Sequence, residues 1–227
     1  MPHDRFYTPA SLENTVILEG QEFHHLTRVM RKQVGDTIEL VNGQHMLAEG
    51  TIYSLSKWEA TITISSTSTQ NPQLPSLTLI QALPKLPKLE IILQKGTELG
   101  VSEFYLYPSS QSEKHTLSDN QKNRLDQIII GAMKQCGRLD IPTLKWGFPE
   151  LTTPLFFGDL RPEAPLLSEK ATLPSALLIG PEKGLTNEEL KKFDNQGQGV
   201  QISPYILRTE TAAIAGLSLL AGSHRPE

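Results

Sequence analysis

A polar run divides this chain into two unlike patterns. Ser65 to Ser76 reads Ser-Ser-Thr-Ser-Thr-Gln-Asn-Pro-Gln-Leu-Pro-Ser, with two prolines and a single apolar residue. A stretch with so little to bury does not join a core. It reads as a linker, and it puts a domain at residues 1–70 and another at 71–227. Two modest domains suit a chain of 227 residues, since about 100–200 residues per domain is usual.

Before the linker the pattern is β-rich. Val16-Ile17-Leu18 is a short strand. A helical stretch follows Gly20, with Phe23, Leu26, Val29 and Met30 apolar. Gly35-Asp36 is a turn, Thr37 to Val41 alternates with period two, and Asn42-Gly43 marks a hairpin returning through Met46 to Tyr53. Ala60 to Ile64 alternates again. Short strands at this spacing predict a small barrel or sandwich.

After the linker, strands alternate with helices. Leu77 to Ala82 and Val101 to Tyr107 are strands around a helix over Leu86 to Leu99. Ser118 and Gln121 have the spacing of a capping box, and Leu125, Ile128, Ile129, Ala132, Met133 and Cys136 form one helix face. Cys136 is therefore expected to be buried and inert. Leu155 to Gly158 and Ala176 to Ile179 are apolar runs of the kind found in buried parallel strands. Thr186 and Glu189 make a second capping box, Val200 to Ser203 is a last strand, and Thr209 to Leu220 is a last helix. The alternation predicts an α/β sheet with helices on both faces.

Composition narrows the function classes. One cysteine excludes an intrachain disulfide, which fits a reducing compartment. No apolar run follows the N-terminus, so no signal peptide is expected. The stretch from Thr211 to Gly222 is too short to span a bilayer. A soluble cytoplasmic protein is expected. A net charge of −4 counts weakly against a nucleic-acid partner. Yet His24, His25, Arg28, Arg31 and Lys32 lie between Phe23 and Gln33 with no acid among them.

Four constellations could carry chemistry. Gly180-Pro181-Glu182-Lys183-Gly184 joins a buried strand to a capped helix, where an open α/β sheet binds its ligands. It is neither a P-loop nor a dinucleotide fingerprint, and an ordinary strand–helix turn explains it when taken singly. In Ser203 to Ala212 an apolar segment runs into Arg208-Thr209-Glu210 and a helix. That suits an uncharged ring beside a polar group, or simply a capping carboxylate and a solvated arginine. Arg5, Phe6, His24, His25, Arg28 and Arg31 suit phosphate contact and base stacking, with Arg28 and Arg31 on one helix face. The plain alternative is a solvated helix face. His24 and His25 point apart on a helix, and no carboxylate or cysteine cluster supports a metal there. Gln135-Cys136-Gly137-Arg138 carries no nucleophile motif.

Together and in this order, the segments resemble the RsmE-type uridine-N3 methyltransferases of small-subunit (16S) ribosomal RNA, in the SPOUT superfamily. The resemblance runs through Arg5-Phe6-Tyr7, His24-His25-Leu26 with Val29-Met30-Arg31, Gly35-Asp36, and Gln94 to Val101. It continues through Gln135 to Arg138 with Pro142, then Gly180-Pro181-Glu182 and Ile206 to Ala212. It implies an N-terminal PUA-like β-barrel for RNA and a C-terminal α/β knot, a topology that connection rules alone would reject. It implies a homodimer, and S-adenosyl-L-methionine held by Leu178, Ile179, Gly180, Pro181, Glu182, Gly184, Ile202, Ser203, Tyr205, Ile206, Leu207 and Thr211. RNA contacts are expected at Arg5, His25, Arg28, Arg31, Lys114 and Arg138, and no metal.

Four positions depart from the family pattern. Lys183 and Ser203 stand at usual glycines, Lys114 at an arginine and Lys134 at a glutamate. A positive φ at either glycine position would cost about 1 kcal/mol with a side chain present. Lys134 reverses charge near Arg138.

Uridine N3 carries a proton on the pairing edge, so the base must be unpaired or flipped out. Arg208 is expected to stabilise the uridine anion or orient the base, and Glu210 to orient Arg208 or accept the proton. The rivals are a ribose 2′-O-methyltransferase of the same superfamily and a non-catalytic RNA-binding or ribosome-assembly protein.

Overall fold

A computed structural model of the chain describes residues 5–224; the N-terminal run Met1 to Asp4, part of the signal-peptide argument, lies outside them. The described residues form two compact units, 5–72 with 130–141, and 73–129 with 142–224.

The first unit is a curled five-stranded mixed sheet, a half-barrel, in the order β1-β3-β4-β5-β2. Its strands are β1 (Arg5–Tyr7), β2 (Thr15–Glu19), β3 (Thr37–Val41), β4 (Met46–Leu55) and β5 (Glu59–Thr69). β1 runs parallel to β3 and the other pairs are antiparallel. Period-two alternation does what it should: in β2, Val16 and Leu18 are buried while Thr15, Ile17 and Glu19 face out. Phe6, Leu12, Val16, Leu18, Leu26, Ile38, Leu40, Ile52 and Ile62 form the core. Each such side chain contributes about 1.5–3 kcal/mol by leaving water. The hairpin at Asn42-Gly43 forms as expected, with Asn42 Oδ1 accepting from the N–H of Gln44 at 2.8 Å. Backbone bonds from His45 N–H to Leu139 O (2.8 Å) and from Ile141 N–H to Gly43 O (3.1 Å) tie residues 139–141 to this hairpin.

Three expectations about this unit are corrected. Ser65 to Thr69 is strand, not linker: it continues β5 and pairs with Met46 to Glu49 of β4. β2 covers β5 only as far as Thr63, so the exposed end carries serines and threonines, which a strand tolerates. Arg28 and Arg31 do not share a helix face. The helix α1 (Gly20–His24) continues as a π-helical turn, His25–Val29, and stops there; Arg31 lies beyond it at φ +54°. Cys136 is exposed, being the last residue of its helix before Gly137 turns the chain at φ +89°.

The second unit holds a six-stranded, all-parallel sheet in the order β11-β9-β10-β6-β7-β8. Its strands are β6 (Leu77–Ala82), β7 (Glu103–Tyr107), β8 (Thr143–Trp146), β9 (Leu155–Gly158), β10 (Ser175–Ile179) and β11 (Gln198–Val200). β6 and β10 are adjacent, central and buried throughout, as strands covered on both faces must be. The helices are α2 (Leu86–Glu98), α3 (Asp119–Cys136), α4 (Leu167–Lys170), α5 (Asn187–Asp194) and α6 (Thr209–Gly222). Both capping boxes form, Ser118 with Gln121 and Thr186 with Glu189. β8 and α4 are four residues each and lack the continuous apolar run that made the equally short β9 legible. The last strand ends at Val200 rather than Ser203, since Gln201 bonds instead to Pro165 and Leu167.

After β11, at the sheet edge, the chain doubles back. Gln201 Nε2 donates to Arg161 O at 2.9 Å, and α6 then packs on α2, β6 and β10 in the middle of the sheet.

Candidate cofactor cleft and RNA-contact residues

At the carboxyl ends of β9, β10 and β11 lies a cleft of about 660 Å³. Three segments line it: Gly158 to Pro162 after β9, Ile179 to Leu185 after β10, and Val200 to Leu207 after β11, with Thr209 and Ala212 of α6. Parallel strands all end on the same side, so consecutive β-loops converge there.

The loop after β10 turns at Gly184, whose φ of +77° a side chain would strain. Its N–H donates to Pro181 O at 3.0 Å. Lys183 and Ser203 do not have positive φ, so neither position requires the glycine usual in the family pattern. The loop is tied to α6 from below. The Thr209 hydroxyl donates to Gly180 O at 2.7 Å. Gln81, fully buried at the end of β6, directs its amide nitrogen to Ala82 O (2.9 Å), Thr209 Oγ1 (3.1 Å) and Ile179 O (3.3 Å).

A second tie is ionic. Glu182 Oε1 accepts from the Lys85 N–H at 3.1 Å and stands 3.4 Å from Lys88 Nζ. Burial pushes the Glu182 carboxyl up, but the Lys85 and Glu182 N–H groups and the Lys88 ammonium outweigh it and hold the group below its ordinary range. Glu210 Oε2 lies 3.4 Å from the same Lys88 Nζ and is buried without a hydrogen bond. The partner of Glu210 is thus Lys88. The expected orientation of Arg208 by Glu210 is not seen: Arg208 is exposed and forms no ion pair among the described residues.

At the mouth, Asp159 is buried and accepts from Arg161 Nε at 2.7 Å; Arg161 also reaches Asp194 Oδ1 at 2.7 Å. The hydrogen bonds and charges of Asp194 and Asp159 hold the Arg161 guanidinium protonated far above its ordinary range. A Cβ at Gly199 would overlap the Asp159 carboxylate, so glycine is required where β11 passes it.

Of the residues expected to hold a cofactor, Ile179, Gly180, Pro181, Glu182, Gly184, Ile202, Ser203, Tyr205, Ile206 and Leu207 line the cleft. Leu178 does not: it is wholly buried in β10, paired with Ile80 and Phe157. Thr211 does not either, being exposed one step round the helix from the lining Thr209 and Ala212. Sequence reasoning missed Gly158 to Pro162 and Lys88. The first was open to the same strand-end logic, because Gly158-Asp159 directly follows the apolar run of β9. Lys88 left no local signal.

Among the residues expected to touch RNA, Arg28, Arg31 and Lys114 are exposed. Arg5 is mostly buried, its Nε donating to Glu39 at 2.9 Å. His25 lies in the π-helical turn, its ring 5.3 Å from that of Phe6. Arg138 is paired with Asp140. Lys134 is neutralised by Glu22 at 2.5 Å, so its reversed charge has a partner of its own.

Comparison with known proteins places this geometry. The family described as RNA methyltransferase domain matches residues 70–153 and 156–221, and the RNA methyltransferase PUA domain matches 18–65. Ribosomal RNA small subunit methyltransferase E of Bacillus subtilis is 31% identical, covering 91% of this chain and 90% of that protein. The protein of that name from Mycobacterium tuberculosis is 26% identical over 88% of this chain and 84% of its own length. Among solved structures, a methyltransferase of Legionella pneumophila in complex with S-adenosylmethionine superposes with a TM-score of 0.83, at 27% identity, covering 96% and 97% of the two chains. Ribosomal RNA small subunit methyltransferase E of Neisseria gonorrhoeae, bound to S-adenosyl methionine, gives 0.83 at 26% identity and 97% of each chain. The fold class expected from the resemblance is borne out: an α/β methyltransferase unit with a parallel sheet, and a PUA domain.

Proposed function

We propose that this chain, which belongs to the RNA methyltransferase family that includes ribosomal RNA small subunit methyltransferase E, transfers a methyl group from S-adenosyl-L-methionine to N3 of a uridine in small-subunit ribosomal RNA. The observation that carries the reading is the cleft. It is built from Gly180 to Gly184 and Ser203 to Leu207, in a chain that superposes over nearly its full length on proteins holding that donor.

The residues present fit the donor. An adenine ring suits the apolar side chains of Leu185, Ile202 and Leu207. Lys183, exposed in the loop after β10, offers an ammonium for the carboxylate of the amino-acid end, while the Glu182 carboxylate is taken up by the Lys85 N–H and Lys88. S-adenosyl-L-methionine, when bound, supplies a methyl group activated by its sulfonium. The chain's task is then alignment, and proximity alone can remove about 7–11 kcal/mol from a barrier.

Methylation of N3 requires loss of its proton and exposure of the pairing edge, so the target base is unpaired or flipped. Arg208, unpaired and exposed one residue before α6, is free to meet the uridine anion. Glu210, paired with Lys88 two residues after Arg208, is the candidate to accept the proton. Arg28, Arg31 and Lys114 are exposed cations suited to phosphate; Arg5 and Arg138 keep their acidic partners, so their role is to shape the RNA-facing surface. In this reading residues 1–70 form the RNA-binding domain and 71–227 the transferase.

A homodimer accounts for the mouth of the cleft. Leu160, Tyr205 and Ile206 are 68%, 79% and 82% exposed there, and a second copy would cover them. No helix among the described residues is long and apolar enough to cross a membrane, and a cytoplasmic location follows from the ribosomal substrate.

The decisive experiment is mass mapping of methylated uridines in small-subunit RNA from cells with and without this protein. Loss of one 3-methyluridine, restored by wild type and not by Arg208→Ala, is expected. Loss of a 2′-O-methyl mark instead would overturn the N3 assignment in favour of the ribose-methylating rival.

A further inference from the structure

We propose that Lys88 is a positioning residue of the transfer site, the shared counter-ion that holds the Glu182 carboxylate of the cleft loop against the Glu210 carboxylate of α6. The proposal rests on the reading of the cleft as the methyl donor's site.

Lys88 Nζ stands 3.4 Å from Glu182 Oε1 and 3.4 Å from Glu210 Oε2. The three side chains are 26%, 20% and 17% exposed, so water screens them only in part. Glu182 belongs to the loop that lines the cleft, and Glu210 to the first turn of α6, whose neighbouring Thr209 and Ala212 line it. Without a cation between them the two carboxylates would repel, and the loop from Gly180 to Gly184 would move away from the start of α6.

Helix electrostatics explain why the cation needs both acids. Lys88 lies in the first turn of α2, where the macrodipole disfavours positive charge. Lys85 turns its own ammonium away to Glu113, at 3.5 Å. Its N–H instead serves Glu182, so that carboxylate also closes the amino end of α2, which has no side-chain cap of its own. Glu210 lies in the first turn of α6, where the dipole favours it. One cation and two anions leave one net negative charge, and Glu210 Oε2 is left without a hydrogen bond. Lys88 is therefore the shared cation of the ionic tie between the loop and the helix, beside the hydrogen bonds that Thr209 and Gln81 make to the same loop.

The test is calorimetric titration of the full-length protein with S-adenosylmethionine, alongside steady-state kinetics on small-subunit RNA. Lys88→Met is expected to raise Kd for the donor about tenfold or more, because the two carboxylates are left facing each other. It should lower kcat while leaving KM for RNA within about twofold. Lys88→Arg should keep Kd within about threefold of wild type. Adding Glu182→Gln to Lys88→Met should recover part of the lost affinity, since repulsion disappears with one of the charges. A role in packing alone would give no such recovery. Should Lys88→Met not fold, Lys88→Gln, which removes the charge and keeps a polar side chain, carries the same comparison. Donor affinity unchanged in the Lys88 variants, or a double variant weaker than the single one, overturns the proposal. A wild-type protein that binds no donor overturns the reading of the cleft and this proposal with it.

Discussion

The hydroxyl of Thr209 donates to the carbonyl of Gly180 across 2.7 Å, joining the first residue of α6 to the loop that follows β10. The same oxygen accepts from Gln81 Nε2 at 3.1 Å. A buried threonine thus serves as donor and acceptor at once, and both of its partners are buried or half-buried.

Thr209→Val keeps the shape and removes both bonds. The Gln81 amide keeps Ala82 O and Gly180 O keeps Gln81 Nε2 at 3.4 Å, so the cost is that of the lost bonds, about 1 kcal/mol. Urea unfolding should show that loss, and donor affinity should fall with it. Thr209→Ser, which keeps the hydroxyl, should stay near wild type; a serine variant as weak as valine would show that the methyl group, not the hydroxyl, matters.

Glycine is needed at 184 and not at 183. Gly184→Ala should cost about 1 kcal/mol because the residue has φ +77°. Lys183→Gly, which restores the usual family residue, should not stabilise the protein, since Lys183 has no positive φ to relieve. A rise in Tm for Lys183→Gly would contradict this.

Arg28 and Arg31 are predicted to act through phosphate. Each alanine variant should weaken RNA binding for all sequences alike and reduce the salt slope by about one ion. Since Arg31 lies beyond the helix at φ +54°, Arg31→Gly should bind RNA as poorly as Arg31→Ala but fold at least as stably. Filter binding across a salt series reads the first effect and urea unfolding the second.

Acid stability should depend on Asp140. Burial pushes its carboxyl up, but the hydrogen bond and charge of Arg138 outweigh this and hold it below its ordinary value of 3.8. Its contribution is therefore present above that value and lost as pH falls through the lower folded-state value. Asp140→Asn should reduce stability near neutrality and flatten the decline between about pH 5 and the lower folded-state value. An unchanged slope in that range would rule out this pair as a source of acid sensitivity.

Local patterns were legible where a single segment decides its own structure. Thr186 and Glu189 announce a capping box because each satisfies the backbone of the other three residues away. Asn42-Gly43 announces a hairpin because its turn demands φ values that glycine accepts. Ser65 to Thr69 misled because its partner lies twenty residues back in β4, and pairing with Met46 to Glu49 overrides a polar composition. The helical spacing of Arg28 and Arg31 misled because i+5 bonding ends the helix between them: Met30 N–H bonds to His25 O.

What the sequence determined by itself was the alternation of the longer strands and helices and two of the three segments that line the cleft. These follow from periodicity, turn chemistry and the rule that parallel strands present their loops at one end. Only the tertiary structure decided which groups face each other there. Gly158 to Pro162 joined the cleft because β9 lies between β10 and β11. Glu210 met Lys88 rather than Arg208 because α6 packs on α2. Charge attraction has no sequence range, and its partners are chosen by the path of the chain.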